Sequence, residues 1–425
     1  MVKLKEHKKE TENKAIERLL LPSRVYIPLS QHLGKPCLPE VKAGDIVSAG
    51  QRIAAVEAHV YAPIHASISG KVVSVQDWPH PVSGRCKAIV IDGDGKDSRN
   101  YSGSRTQEEV DKLTPDEVRR IVREAGIVGM GGASFPTHIK LNPPRPVDTL
   151  IVNGAECEPY LTGDNRLMLE NTDKIIMGIR ILVKCLGIKS VYIAIEENKP
   201  EAINEFRGKA AQYTVKVLRS VYPQGGEKQL IKNVLQKEVP SGKLPFDVGV
   251  MVHNVGTIFA IYEAVYFNKP LYERVVTVTG SCVSNPKNIM VPIGTLISEL
   301  IDFCGPLKGE PAKIIIGGPM MGIAQYTDKV PVIKSTTGVI LMGEKQIKVP
   351  EEEFCIRCGA CVRECPAGLM PCMISLASER NNRELVEAYN VSDCIECGLC
   401  AYVCPAKRDM VQHMKYAKSI LAGAK

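Results

Sequence analysis

The stretches CIRCGACVRECP (Cys355–Pro366) and CIECGLCAYVCP (Cys394–Pro405) carry eight of the fifteen cysteines in this 425-residue chain. Each reads Cys-x2-Cys-x2-Cys-x3-Cys-Pro: Cys355, Cys358, Cys361 and Cys365 in the first run, Cys394, Cys397, Cys400 and Cys404 in the second. Three thiolates at three-residue spacing can converge on one face of an iron–sulfur cube. In paired [4Fe–4S] sites of this spacing the fourth Cys of each run ligates the other cluster. The runs therefore predict one cluster on Cys355, Cys358, Cys361 and Cys404, and a second on Cys394, Cys397, Cys400 and Cys365. Structural zinc also takes thiolates, but its sites use well-separated Cys pairs rather than four thiols within eleven positions, twice. Electron transfer is thus the first function to consider.

The rest of the composition narrows the class. The length suits about two to four domains, and 44% hydrophobic residues support sizeable cores. The net charge of +7 is dispersed and no basic-aromatic motif interrupts it, which argues against a nucleic-acid partner. The opening MVKLKEHKKETENK is charged, has no apolar signal core, and reads as a frayed or surface-lying helix within a charged segment, residues 1–21. No run of 18 apolar residues occurs, so no membrane span is expected. Oxygen-sensitive clusters fit a reducing compartment. The other cysteines, Cys37, Cys86, Cys157, Cys185, Cys282, Cys304 and Cys372, share no ligand spacing, and most read as small buried apolar residues.

Along the chain the texture changes four times, giving a multidomain α/β and α+β protein. Residues 22–95 are short β-rich segments with regular turn signals, and VKAGDIVSAGQRIAAVEA and APIHASISGKVVSV resemble the two halves of a lipoyl-type barrel-sandwich hybrid. The tip Val60–Ile64 has no Lys, so the module is read as unmodified. Asp92-Gly-Asp-Gly95 is read as a turn, because no Glu closes a calcium loop. Residues 105–270 alternate helix and strand, as a parallel α/β core does, and Thr114-Pro-Asp-Glu117 is a capping box. Residues 272–345 read as a small β-grasp-like insert. Residues 350–425 form the ferredoxin-like two-cluster domain with a basic, amphipathic last helix over 408–421.

The remaining chemistry lies in GIVGMGGASFPTHIKL, Gly126–Leu141. It is neither a Rossmann fingerprint, since Ser134 takes the third glycine position, nor a Walker A loop. Gly129, Gly131 and Gly132 still suit close backbone approach to a phosphate or flat ring, and Lys140 adds a positive charge.

This segment resembles the G-x-G-G-A-G-F-P-T-x-x-K signature of the flavin-binding subunit of respiratory complex I and its relatives. Three further likenesses follow in the same order: VNGAECEP (Val152–Pro159), YPQGGEKQLI (Tyr222–Ile231) and VHNVGT (Val252–Thr257). The N-terminal PLSQHLGKPCLPEVKAGDIVSAGQ resembles the lead-in of one branch, the C subunits of the Rnf electron-transport complex. The likeness runs over about residues 20–420, and the 272–345 insert is similar to the family's soluble-ligand-binding β-grasp. The resemblance implies FMN held by Gly129, Gly131, Gly132, Lys140, Asn153, Asn254 and Thr257. It implies NAD(H) stacked on Phe135 and bonded by Glu158, with Tyr222, Gly225, Gly226 and Glu227 as the opposite wall and Lys243 and Phe246 toward the adenosine end. Ser134 stands where the family has Gly, Ala155 where it has Asp, Cys157 where it has Ser, and Gly226 where it has Glu.

The implied function is a peripheral ferredoxin:NAD oxidoreductase subunit on the cytoplasmic face of the membrane. It would pass electrons between NAD(H), FMN and two [4Fe–4S] clusters, to or from a ferredoxin-like cluster subunit. Membrane subunits of the complex would be further partners, ferredoxin an indirect one, and electron flow would be coupled to ion movement. A flavin suits this because it takes a hydride and releases single electrons. Two alternatives use the same parts: a cobalamin-reductase-type protein of a microcompartment, whose glycine-rich segment lies near the N-terminus, and an electron-relay subunit with a vestigial flavin site.

Overall fold

A computed structural model describes residues 2–347 and 351–423. At its centre lies a four-stranded, wholly parallel sheet in the order Thr214–Leu218, Ser190–Glu196, Thr149–Gly154, Val250–Asn254. Alternate residues serve opposite faces, as the two-residue strand period requires. Leu150 and Val152 join Ile193, Ile195 and the helices Pro115–Glu124, Thr172–Leu186 and Val255–Phe267 in the largest core. Ile151 faces Val250, Val252, Leu230 and Ile231 on the other side. Both Thr106 and Thr114 head capping boxes, closing on Glu109 and Glu117.

Two small antiparallel sheets build the barrel-sandwich hybrid: Arg24–Pro28, Gly84–Gly93, Gly70–His80 and Ile46–Val47 in one, Leu38–Pro39, Arg52–Ala55 and Ile64–His65 in the other. The β-grasp insert is a six-stranded sheet around Glu273–Thr279 with the helix Ile297–Phe303.

The N-terminal segment differs from the surface helix its charges suggest. No helix occurs in described residues 2–20; the chain runs through turns and ends in the strand Ile16–Arg18. That strand is an edge of the β-grasp sheet, parallel to Lys287–Pro292 with Ile16 opposite Asn288. On the way Val2 bridges Tyr222, His7 stacks on Tyr160 at 4.6 Å, and Lys8 is buried, its ammonium donating to the carbonyls of Glu156 and Leu161. A charged pattern mimics a helix here because its cations and polar groups are satisfied by distant parts of the fold.

A second buried lysine fastens three units. Lys334 of the β-grasp insert donates to Pro63 O at 2.8 Å in the barrel-sandwich and to Gly126 O at 2.6 Å ahead of the glycine loop. Burial lowers its ammonium to about 7, with Cys37 the only opposing influence and His65 and His32 nearby. The unfolded chain keeps this proton up to the ordinary lysine range, whereas the folded chain releases it near 7. Stability from this group therefore rises as pH climbs from about 7 toward 10. Lys334→Met is expected to flatten that rise in apparent melting temperature measured against pH. At pH 9 it should cost about 1–3 kcal/mol, for carbonyls left without a donor.

The cluster segment is built on the repeat seen in its sequence. The short helices Ala360–Arg363 and Leu399–Tyr402 follow Gly359 and Gly398, with φ of 74° and 80°. Arg357 and Glu396, at matching places in the two runs, both take φ of 55°. The last helix, Met410–Ala422, packs back through Met414 and Ala417, and Lys418 donates to Cys394 O at 2.7 Å. Its amphipathic face covers the cluster segment. No described helix is long and apolar enough to cross a membrane.

Candidate electron-transfer site

The glycine loop sits at the carboxyl ends of the parallel strands, where open α/β sheets bind ligands. It closes on itself through Gly129 N–H to Phe135 O at 2.9 Å, and is pinned to the helix Val255–Phe267 by Met130 N–H to Thr257 Oγ1 at 2.9 Å. Asn254 caps that helix, its Oδ1 accepting from Gly256 N–H at 2.8 Å, while its Nδ2 donates to Asp164 at 2.6 Å. A methyl group on Gly131 would lie 3.1 Å from Asn254, whereas one on Gly132 would meet nothing within 4 Å. Gly131, Gly132 and Ala133 are exposed and Phe135 is half-buried. Thus Gly129, Gly131, Gly132, Asn254 and Thr257 are brought together at one end of the sheet.

The second wall follows from the strand Thr149–Gly154. Asn153 Nδ2 donates to Gly225 O at 3.0 Å, and its Oδ1 accepts from Ala155 N–H at 3.1 Å. A β-carbon on Gly225 would come within 3.0 Å of Ala155 O, so the two segments approach as closely as backbones can. Lys140 pairs with Glu227 at 2.5 Å, joining the glycine-loop side to this wall. Lys243 is exposed, and Phe246 packs against the main core.

Glu158 and Tyr222 are committed elsewhere. The Glu158 carboxylate accepts from the amides of Met320 and Met321, at 3.1 and 2.8 Å, in the β-grasp turn Gly317–Gly322. Burial pushes this carboxyl up to about 7, the two amides offsetting part of the effect. Tyr222 is 1% exposed, and its hydroxyl donates to Cys397 O at 2.8 Å. Cys157, Met320, Ile395 and Leu399 pack with it. Sequence patterns give no sign of this seam, because Glu158 and Met320 are 162 residues apart.

The two cysteine runs interleave. Cys394, Cys397 and Cys400 line one cavity with Cys365 of the first run; Cys355, Cys358 and Cys361 line another with Cys404 of the second. This grouping is the one the spacing predicts. Cys372 also lines the second cavity, so its expected role as an unrelated apolar residue is corrected: it lies beside Cys361. By contrast Cys37, Cys185, Cys282 and Cys304 are buried thiols away from both cavities.

The donor chemistry fits the implied groups. At least four thiols around each cavity suit an iron–sulfur cube. Beside the glycine loop, the buried Ser134 Oγ, Thr137 Oγ1 and His253 Nε2 find no hydrogen-bond partner among the described residues, and the space over Gly132 is open. Ser134, in the family's glycine position, takes φ of 52°. A side chain there carries about 1–2 kcal/mol of strain, partly balanced by glycine's larger entropy loss. Ser134→Gly is expected to stabilise the protein by about 0.5–1 kcal/mol, read as a raised melting temperature.

Comparison with known proteins agrees with this architecture. Residues 2–96 match the RnfC barrel sandwich hybrid domain, 122–263 the Nuo51 FMN-binding domain, 275–324 the SLBB domain and 347–405 a 4Fe-4S dicluster domain. The air-oxidized NAD+-reducing [NiFe]-hydrogenase shares the fold, with TM-score 0.51 and 16% identity over 76% of this chain and 68% of that one. The C subunit of the proton-translocating ferredoxin:NAD(+) oxidoreductase complex of Clostridium ljungdahlii is 50% identical, over 97% of this chain and 91% of that protein. Its counterpart from the Na(+)-translocating complex of Acetobacterium woodii is 44% identical over 93% and 90%. The C subunit of the ion-translocating oxidoreductase complex of Rhodobacter capsulatus is 42% identical over 98% and 81%. With an FMN-type core, a dicluster segment and relatives of one kind matched over most of their length, the chain belongs to the family of Rnf complex C subunits.

Proposed function

We propose that this protein moves electrons between NAD(H) and a partner subunit by way of one FMN and two [4Fe–4S] clusters. Gly129, Gly131, Gly132, Asn153, Asn254, Thr257 and Lys140 would hold FMN, which supplies the exchange between a hydride and single electrons. Phe135, half-buried at the loop, offers the nicotinamide a stacking face. Glu158 would reach the same ligand only by exchanging its Met320 and Met321 donors.

The observation that carries the reading is the seam between the flavin core and one cysteine cavity. Tyr222 bonds Cys397 O, Gln229 bonds Pro366 O at 3.5 Å, and a β-carbon on Gly226 would lie 3.6 Å from Ile395. The cluster on Cys394, Cys397, Cys400 and Cys365 is therefore the one next to the flavin core. The cluster on Cys355, Cys358, Cys361 and Cys404 is the outlet, beside the exposed Cys358, Ile356 and Phe354. A ferredoxin-like subunit of the complex would dock there, on the cytoplasmic face of the membrane.

The test is anaerobic reconstitution of the whole chain. One FMN and about eight irons per chain, with cluster bleaching on adding NADH, support the proposal. Full iron without FMN or NADH response would leave a relay subunit instead, and one or two zinc ions would sink the cluster assignment.

A further inference from the structure

Cys372 is a fifth thiol in a cavity where four suffice. It is the second residue of the helix Pro371–Glu379, and it lines the cavity with Cys355, Cys358, Cys361 and Cys404. Amides in the first turn of a helix have no partner inside it. Here both the Cys372 amide and its thiol lie close to the Cys361 sulfur, in the same cavity. Pro371, whose ring presets the first helical turn, fixes where Cys372 sits. Its side chain is half-exposed, on the cavity side of a helix whose Ile374, Ser375, Ala377 and Ser378 are buried.

Among the described residues, no other thiol outside the two runs lines either cavity. The Cys394 cavity has no counterpart, because Val411 lines it at the place in the repeat that matches Cys372.

We propose that Cys372 is a reserve ligand of the outlet cluster: it lies beside the Cys361 sulfur in the intact site and takes over its iron when Cys361 is lost. The exchange needs no oxidant. The Cys372 thiol releases its proton to solvent and binds iron as thiolate, so the ligand set stays at four thiolates. This inference rests on the proposal that a cluster occupies this cavity.

The experiment counts iron and acid-labile sulfide in the anaerobically reconstituted whole chain as wild type, Cys361→Ala, Cys358→Ala and Cys361→Ala/Cys372→Ala. Alanine is used because a serine oxygen can itself bind iron. Wild type and Cys361→Ala are expected to hold about eight irons, and the other two about four. In addition, Cys372 should be alkylated more slowly in Cys361→Ala than in wild type, read by peptide mass spectrometry. The iron of the Cys394 cavity serves in every variant as the check on folding. If Cys361→Ala loses as much iron as the double variant, or if Cys372 reacts equally fast in both, the inference is overturned. If wild type itself holds no cluster here, it is the cluster assignment that fails.

Discussion

Cys365→Ala is expected to strip about four of roughly eight irons, and to strip them from the cavity of the other run. Cys365 lines the cavity of Cys394, Cys397 and Cys400, where its sulfur accepts from Leu369 N–H at 3.4 Å. A reading by sequence neighbourhood would instead assign it to Cys355, Cys358 and Cys361. Paired substitutions separate the two, because losses within one site do not add. Cys365→Ala/Cys394→Ala should lose no more iron than Cys365→Ala alone, whereas Cys365→Ala/Cys355→Ala should lose nearly all of it. The opposite pattern would reject the interleaved pairing. A functional consequence follows from the Tyr222–Cys397 seam. With the adjoining cluster gone, NADH should still bleach the flavin, but the outlet cluster should stay oxidised until dithionite is added.

Local grammar made much of this fold readable. The core strands are apolar runs bounded by glycine and polar residues, and the Thr114–Glu117 box fixes a helix start within a few residues. The cysteine runs were readable for the same reason: their chemistry is set by spacing along a short stretch. What escaped depends on distance. Ile16 pairs with Asn288, Tyr222 with Cys397, and Glu158 with Met320, each across more than 150 residues. No periodicity encodes such partners.

Charge misled at the N-terminus, where Lys8 is not solvated but buried against backbone carbonyls of the flavin core. Cys372 escaped because its spacing matches no ligand pattern; only the turn Pro366–Met370 brings it back to Cys361. Glu158 shows the limit of carrying roles over by motif. The likeness gives it a bond to NAD(H), whereas the β-grasp turn supplies it with donors that a motif cannot report.

Gly132→Val is expected to abolish NADH-driven reduction of both clusters while leaving the folded chain and its iron intact. The reasoning turns on the space around two neighbouring glycines. A side chain at Gly131 would press on Asn254 at 3.1 Å and disturb the cap of the helix Val255–Phe267. At Gly132 nothing lies within 4 Å, and no positive φ demands glycine. Valine is therefore tolerated by the protein itself, and melting should shift by no more than about 0.5 kcal/mol, as for other surface changes. It is a bound ring that the valine would strike. Overpacking of that size costs about 1–3 kcal/mol, which weakens FMN binding roughly 5- to 150-fold. Flavin retained after gel filtration, iron per chain and cluster bleaching by NADH and by dithionite would be measured together. Lost flavin with full iron and normal dithionite reduction places FMN over Gly132. Retention of flavin and of NADH-driven bleaching would show that the glycine loop is a packing turn, and that the cofactor site has to be sought elsewhere.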